Sequence, residues 1–199
     1  MSSGSEILDL LSFVLSRGNG SDSARKASGR LLNYFGSAQD LANATLEEIR
    51  RAGKISSRQA ESMYYALQLG KQVCSVPLKP GERFSNSREL YQRYRARFFT
   101  AQKEHFFSLH LNSKNQLIRE VLISIGSLST SVVHPREVFA PAVRDSTAAL
   151  IFMHNHPSGD PAPSPQDIQV TKNLKTLMDM LPIRLLDHVI IGRNRYFSL

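Results

Sequence analysis

Residues 154–167, with the sequence HNHPSGDPAPSPQD, decide both the fold and the chemistry of this chain. His154 and His156 lie two residues apart, so on a strand they point to the same face, and a turn that brings Asp167 back beside them would add a carboxylate. Two imidazoles and a carboxylate can bind zinc and leave its fourth tetrahedral position open for a water. The metal can lower the pKa of that water to about 7, which makes it a nucleophile at neutral pH.

The residues around this motif predict a strand, a loop and a helix in succession. Residues 148–153 (AALIFM) form an apolar run that is typical of a buried strand. Three prolines between His156 and Ser164 predict a loop, because they deny it regular backbone hydrogen bonds. Ser164, followed by a proline and then by Asp167, predicts the start of a helix with Ser164 as its N-cap. The histidines are therefore expected at the carboxyl end of a strand, facing the helix that carries Asp167.

The same motif resembles that of a known family. His154-x-His156, seven residues and then Ser164-x-x-Asp167 are similar to the motif of the JAMM (MPN-plus) metalloproteases, and the wider string resembles their bacterial RadC-type branch. Residues 133–138 (VHPREV) and 186–192 (LDHVIIG) also resemble segments of that branch, so the likeness runs from about residue 86 to the C-terminus. The resemblance implies an α/β fold with a JAMM/MPN-like mixed sheet flanked by helices.

The resemblance also implies a ligand set and an activity. His154, His156 and Asp167 would hold Zn²⁺, and Ser164 would orient or stabilise the oxyanion. The protein would then be a zinc-dependent hydrolase, a metallopeptidase or isopeptidase that acts on a protein or peptide. A capping role explains Ser164 and Asp167 taken singly, but the four residue types at this spacing across a strand, a loop and a helix favour a metal site.

In this family a glutamate far upstream serves as general acid and base, where the first helix of the domain runs into the first strand. Glu104 fits that place, because it follows a predicted amphipathic helix at 86–103 and precedes a predicted strand at 106–111. Glu120 and Glu137 are alternatives. Glu120 lies within or beside the second predicted strand, and Glu137 lies at a helix start, where carboxylates are common for capping reasons.

Composition excludes several other classes of protein. With 199 residues, 41% hydrophobic and 21% charged, the chain is expected to be an ordinary globular protein. The single cysteine, Cys74, cannot form an internal disulfide, which favours a reducing, cytoplasmic location. It also excludes a zinc deaminase, which needs a Cys-x-x-Cys pair. The absence of an apolar run of about 18 residues and of a leader-like N-terminus argues against a membrane protein.

Residues 76–87 (VPLKPGERFSNS) have the composition of a linker between two domains, 1–75 and 88–199. The first domain is expected to be all helical, with helices at 6–16, 22–35 and 57–73. Thr45 and Glu48 predict a capping box that opens a further short helix. In the second domain the predicted order is helix, strand, strand, helix, strand, helix, strand, strand.

Residues 46–67 resemble a helix-hairpin-helix, a module that grips the DNA backbone without sequence preference. The turn of that module runs Gly-apolar-Gly, because close approach of backbone N–H groups to a phosphate leaves no room for a side chain. Here Lys54 and Ser56 occupy the two glycine places, so Lys54 and Arg58 would have to supply positive charge instead. The net charge of +8 divides as nine basic against seven acidic residues before Leu78, and sixteen against ten from there on.

Three functional hypotheses follow from the sequence. The favoured one is the zinc hydrolase, and the second is a DNA-associated repair or recombination protein in which the metal domain is regulatory or inactive. A row of arginines on the predicted helix 86–103 is either a solvated face or a nucleic-acid footprint. A metal-free scaffold of the MPN type ranks last, because all three ligand residues are present. The sequence leaves the substrate and the oligomeric state open.

Overall fold

The computed structural model describes residues 4–16, 21–74, 78–99, 101–126 and 133–199. Contacts divide the chain into two compact units, Met1–Ser75 and Val76–Leu199. The start of the predicted linker, at residues 76–77, lies outside the described residues. Within the described ranges, no helix is both long enough and apolar enough to cross a bilayer.

In the residues that the structure describes, helices are the only regular elements of the first unit, as predicted. The box that Thr45 and Glu48 were expected to form opens α4: the Thr45 N–H donates to the Glu48 carboxylate over 2.7 Å, and the Glu48 N–H donates to the Thr45 hydroxyl over 3.3 Å. Buried Leu31, Leu41 and Ile49 lie at the centre of the unit's apolar core. The described helices are α1 (Gly4–Ser16), α2 (Asp22–Phe35), α3 (Ala38–Asn43), α4 (Leu46–Gly53) and α5 (Ser57–Cys74).

The turn between α4 and α5 differs from a Gly-apolar-Gly turn in which residue has the left-handed conformation and in where its glycine lies. Lys54 caps α4 in the left-handed region, with φ 49°. Gly53 is buried, and a Cβ on it would lie 3.3 Å from side-chain carbons of both Ile55 and Leu31. The glycine therefore permits close packing of the hairpin on α2. The expected contact of Lys54 with DNA stays a prediction.

The second unit has the predicted order of elements around a five-stranded sheet, β2-β1-β3-β4-β5. Strands β3 and β4 are parallel and are joined through α8, whereas the neighbouring pairs are antiparallel, so the sheet is mixed and the predicted α/β class is confirmed. The elements are α6 (Ser87–Tyr94), β1 (His105–Leu111), β2 (Leu117–Ile125), α7 (Pro135–Arg144), β3 (Ala149–Asn155), α8 (Pro165–Met178), β4 (Arg184–Ile191) and β5 (Tyr196–Ser198).

The two faces of the sheet carry different helices. On one face, Tyr91 and Tyr94 of α6 pack against alternate residues of the central strands, including Leu109 and Met153. On the other face, α7 and α8 pack against the remaining alternate residues; this core contains Val138, Ala142, Leu150, Phe152, Leu174 and Met178. The period of two along β3 therefore assigns His154 to the face covered by α7 and α8.

Helix α6 is shorter than the predicted helix at 86–103. It ends at Tyr94, and residues 95–99 form turns. The turns let the Phe98 ring stack on Tyr94 and contact Phe107, with ring centroids 5.9 Å and 5.8 Å apart. They also place Arg97 2.6 Å from the carboxylate of Glu120. Tertiary packing thus ends the helix before its amphipathic pattern does.

Residues 81–83 of the predicted linker pair with the start of β2 and so form part of the second unit. The Gly81 N–H donates to the carbonyl of Leu117, and the Leu117 N–H donates to the carbonyl of Glu82, each over 2.7 Å. Arg83 forms an isolated antiparallel bridge with Gln116. These bonds extend the pairing at the start of β2 to a segment with linker-like composition.

Candidate metal centre

His154 lies near the carboxyl end of β3, on the face of the sheet that α7 and α8 cover. His154 is fully buried. The ladder continues beyond β3, because the His156 N–H donates to the carbonyl of Ile191 at the end of β4 over 2.9 Å. His156 therefore keeps the orientation of a strand residue, and both imidazoles lie on the side of the sheet that α8 covers. This is the placement that the spacing of the two histidines predicts.

Helix α8 brings Asp167 to the same place. Ser164 is the N-cap, as predicted, and its hydroxyl accepts a hydrogen bond from the Asp167 N–H over 3.1 Å. The Ser164 N–H and hydroxyl both donate to the Oδ2 atom of Asp167, over 2.6 Å and 2.7 Å. Ser164 therefore orients a buried carboxylate on the first turn of α8. Its expected contact with an oxyanion stays a prediction.

The three side chains converge. The Nε2 atoms of His154 and His156 lie 2.9 Å apart. The Nε2 atom of His154 lies 3.3 Å from Oδ1 of Asp167, and that of His156 lies 3.4 Å from Oδ2. Tetrahedral zinc with bonds of about 2.0–2.1 Å would separate its ligand atoms by about 3.3–3.4 Å. Among the residues that the structure describes, these three form a group able to hold a metal ion.

The electrostatics of the cluster favour an ionised carboxylate beside two imidazoles. Burial alone would raise the pKa of Asp167, but the adjacent imidazoles of His154 and His156 and the hydrogen bonds from Ser164 outweigh it and hold the pKa well below its usual range. Burial lowers the pKa of His154. Burial also acts to lower the pKa of His156, but the nearby Asp167 carboxylate and the hydrogen bond to the Asp160 carbonyl raise the pKa overall. Metal ligands must be deprotonated, and Asp167 meets that condition at neutral pH.

The loop after β3 is fixed against the end of β4. Its Gly159 has φ 87°, and its carbonyl accepts a hydrogen bond from the Arg193 N–H over 3.0 Å. A Cβ on Gly192 would lie 2.5 Å from that carbonyl oxygen and 2.7 Å from the ring of Pro161, so only glycine fits at this position. The close approach holds the segment that follows His156.

Glu104 immediately precedes β1 and is half-buried. Its negative charge adds a smaller, raising contribution to the pKa of both His154 and His156, after those of burial and of Asp167. Asn155 clamps the backbone on either side of Glu104: its Oδ1 accepts from the His105 N–H over 2.8 Å, and its Nδ2 donates to the carbonyl of Lys103 over 3.1 Å. The structure therefore brings Glu104 within electrostatic reach of the cluster.

The two alternative glutamates are engaged or placed elsewhere. Glu120 lies on β2 opposite Leu109, on the face that α6 covers, and its carboxylate binds the Tyr94 hydroxyl and Arg97. Glu137 is exposed in the first turn of α7. Of the three glutamates, Glu104 is the one whose charge acts on both His154 and His156.

Comparison with known proteins places the chain in a family. Residues 84–199 match the family described as RadC-like JAB domain. The chain belongs to this family. It is 39% identical over 193 residues to a UPF0758 protein of Syntrophotalea carbinolica, covering 96% of this chain and 85% of that protein. A UPF0758 protein of Geobacter sulfurreducens is 40% identical and one of Trichlorobacter lovleyi 42%, each covering 96% of this chain and 84% of the relative. The family resemblance drawn from the sequence is confirmed.

The RadC-like JAB domain contains two further residues at the cluster whose roles the sequence did not reveal. His188 of β4 is buried with its Nε2 atom 2.9 Å from Nδ1 of His154, and its Nδ1 atom lies 2.6 Å from the hydroxyl of Thr171 on α8. Burial lowers the pKa of His188 to about 3. Thr171 follows Asp167 by four residues, which places both on one face of a helix. This spacing is the sequence feature that could have revealed Thr171. His188 gives no comparable signal, because it is one of several polar residues in a largely apolar strand.

Proposed function

We propose that this RadC-like JAB protein is a zinc-dependent hydrolase that cleaves an amide or isopeptide bond in a protein or peptide. The observation that carries the proposal is the convergence of two imidazole Nε2 atoms and one carboxylate, separated by 2.9–3.4 Å. Two nitrogen donors favour zinc over magnesium or calcium, which prefer oxygen ligands. Three protein ligands also leave a tetrahedral position open, as in catalytic rather than structural zinc sites.

Zinc held by His154, His156 and Asp167 would act as a Lewis acid and lower the pKa of a bound water to about 7. Glu104 is proposed to accept a proton from the attacking water and to deliver it to the leaving amine. Asn155 supports this role because it holds the backbone on both sides of Glu104.

Hydrolysis of a carbonyl compound fits the cluster better than phosphodiester cleavage. Phosphoryl transfer often uses two metal ions about 3.5–4 Å apart. In the described ranges, the groups able to hold a metal comprise the single set His154, His156 and Asp167. One metal and one nearby carboxylate are sufficient for attack on an amide.

The test compares three forms of the full chain: wild type, the His154→Ala/His156→Ala double variant, and Glu104→Gln. Zinc content is measured by elemental analysis, and hydrolysis is measured on a library of peptides and isopeptide-linked peptides. We expect about one zinc per wild-type chain and its loss, together with hydrolysis, in the double variant. Glu104→Gln is the matched control: it should keep zinc but hydrolyse about 10²–10⁴-fold more slowly.

Two results would overturn the proposal. One is wild-type protein that fails to bind zinc. The other is a zinc-free double variant that hydrolyses the same substrates as fast as wild type. Equal rates in zinc-loaded wild type and Glu104→Gln would overturn the role of Glu104, because the proton carrier would then be a different group.

A further inference from the structure

A chain of hydrogen bonds leads from His154 away from the metal centre and ends on the backbone of α8. Its last link joins the Thr171 hydroxyl to the carbonyl of Asp167 over 2.6 Å. A carbonyl oxygen can only accept, so the hydroxyl proton of Thr171 is committed to this bond. Toward His188, whose Nδ1 atom also lies 2.6 Å away, the Thr171 oxygen can then act only as an acceptor. The Nδ1 atom of His188 therefore carries a hydrogen.

The next link fixes the tautomer of His154. His188 is fully buried, and its ring meets the rings of Phe106 and Phe152 edge-on, with centroids 5.5 Å and 6.0 Å apart. In this apolar setting the imidazole is neutral and carries one N–H, which is at Nδ1. Its Nε2 atom is then an acceptor for the Nδ1–H of His154, 2.9 Å away. The Nε2 atom of His154 is left with its lone pair directed at the metal position.

The second imidazole is set by a separate bond of the same kind. The Nδ1 atom of His156 lies 2.7 Å from the carbonyl of Asp160, so it donates there, and in the neutral ring its Nε2 atom also presents a lone pair. Two lone pairs that face each other over 2.9 Å repel unless a proton or a metal ion lies between them. The two histidines thus carry a hydrogen on Nδ1 for different reasons: His156 donates to the carbonyl of Asp160 in the loop, and His154 donates to His188, which Thr171 orients.

We propose that His188 and Thr171 are positioning residues that lock His154 in the tautomer with its hydrogen on Nδ1 and couple it to the helix that carries Asp167. This inference rests on the proposed function, in which the Nε2 atom of His154 binds zinc through its lone pair. Thr171 ends the chain on the backbone of Asp167 itself, so two of the three ligand residues are tied together outside the coordination shell. Groups that orient a histidine ligand in this way commonly contribute 10–100-fold to metal affinity.

The test removes one hydroxyl. Thr171→Val keeps the shape of the side chain but cannot accept from His188, whereas Thr171→Ser keeps the hydroxyl. Thr176→Val is the matched control: Thr176 lies on the same helix and makes the same bond to a carbonyl four residues earlier, Lys172, over 3.0 Å, but it is exposed. The zinc dissociation constant of each full-length variant is measured by competition with a chromophoric chelator.

We expect Thr171→Val to weaken zinc binding about 10–100-fold, with Thr171→Ser and Thr176→Val close to wild type. Nitrogen-15 NMR of the metal-free wild type should show the hydrogen of His154 on Nδ1, a readout that needs no variant to fold. Equal zinc affinity in Thr171→Val and wild type, or a hydrogen on Nε2 of His154, would overturn the proposed positioning role of His188 and Thr171. Wild type that shows the predicted tautomer but binds no zinc would instead overturn the proposed function.

Discussion

At the scale of single residues, His110 shows how a buried histidine can affect stability without a part in the candidate metal centre. Its Nδ1 atom lies 2.6 Å from a carboxylate oxygen of Asp145, which Arg119 also contacts at 2.5 Å. Burial lowers the pKa of His110 and outweighs the opposite effect of the bond to Asp145. The folded protein therefore holds His110 neutral at a pH where a free histidine would bind a proton.

The sign of the resulting pH dependence follows from this lowered pKa. Above about pH 6.5 the side chain is neutral in both the folded and the unfolded state. As the pH falls below that value, the unfolded state binds a proton that the folded state does not, so the free energy of unfolding decreases until the pH reaches the folded pKa. One such group changes the stability by at most about 1.4 kcal/mol per pH unit.

We predict that His110→Gln reduces the loss of stability between pH 7.5 and pH 5.5. Glutamine does not titrate but can still donate a hydrogen bond to Asp145. Urea unfolding followed by circular dichroism, at both pH values and for both proteins, measures the difference, and the other histidines are common to both. An identical loss in wild type and variant would show that His110 titrates alike in the folded and unfolded states.

The residues of the candidate metal centre differ in how far they could be predicted from the sequence. The cluster of His154, His156 and Asp167 was predictable, because a spacing of two on a strand and a capped helix start after a proline-rich loop are both local features. His188 was not, because its contact with His154 depends on the parallel pairing of β3 with β4. His154 and His188 are 34 residues apart in the sequence, and they meet only because β3 and β4 pair side by side with α8 as their connection.

At the scale of elements, the turn between α4 and α5 contains a residue in an unfavourable conformation. Lys54 is exposed and has φ 49° and ψ 51°, the left-handed region that costs a side-chain-bearing residue about 1–2 kcal/mol. Glycine adopts this conformation freely, although it loses more backbone entropy on folding. The balance favours glycine at the C-cap of α4.

We predict that Lys54→Gly raises the free energy of unfolding of the first unit by about 0.5–1 kcal/mol. Lys54→Ala is the control, because it removes the same charge but keeps a Cβ in the left-handed region. Differential scanning calorimetry should show a higher midpoint for Lys54→Gly than for Lys54→Ala. Equal midpoints would mean that the backbone relaxes around the alanine without cost.

Helix ends in this chain are predictable where a local cap sets them and less so where distant packing does. The start of α8 matches its prediction because Ser164 is a strong N-cap, and the box of Thr45 and Glu48 opens α4 as expected. The end of α6 was predicted too late, because the apolar period continues past Tyr94 while Phe98 turns away to contact Phe107. The short helix α3 has too few residues for an amphipathic period to reveal it.

At the scale of the whole molecule, the candidate ligands all belong to the second unit. His154 lies on β3, His156 directly follows that strand, and Asp167 lies on α8. A metal that binds the folded state but not the unfolded one stabilises the folded state by RT ln(1 + [L]/Kd). This amounts to about 2.7 kcal/mol when free zinc is at 100 times its dissociation constant.

We therefore predict that zinc slows amide hydrogen exchange in β3, in the loop at 157–163 and in α8, by up to about 100-fold where exchange requires opening of the second unit. Helices α1 to α5 of the first unit should exchange at the same rate with and without zinc, because none of the three ligand residues lies there. Hydrogen exchange with mass spectrometry on the full chain separates these peptides. His156→Ala is the control and should show no effect of zinc in either unit. Protection that spreads equally over α1 to α5, or that persists in His156→Ala, would place the binding site elsewhere.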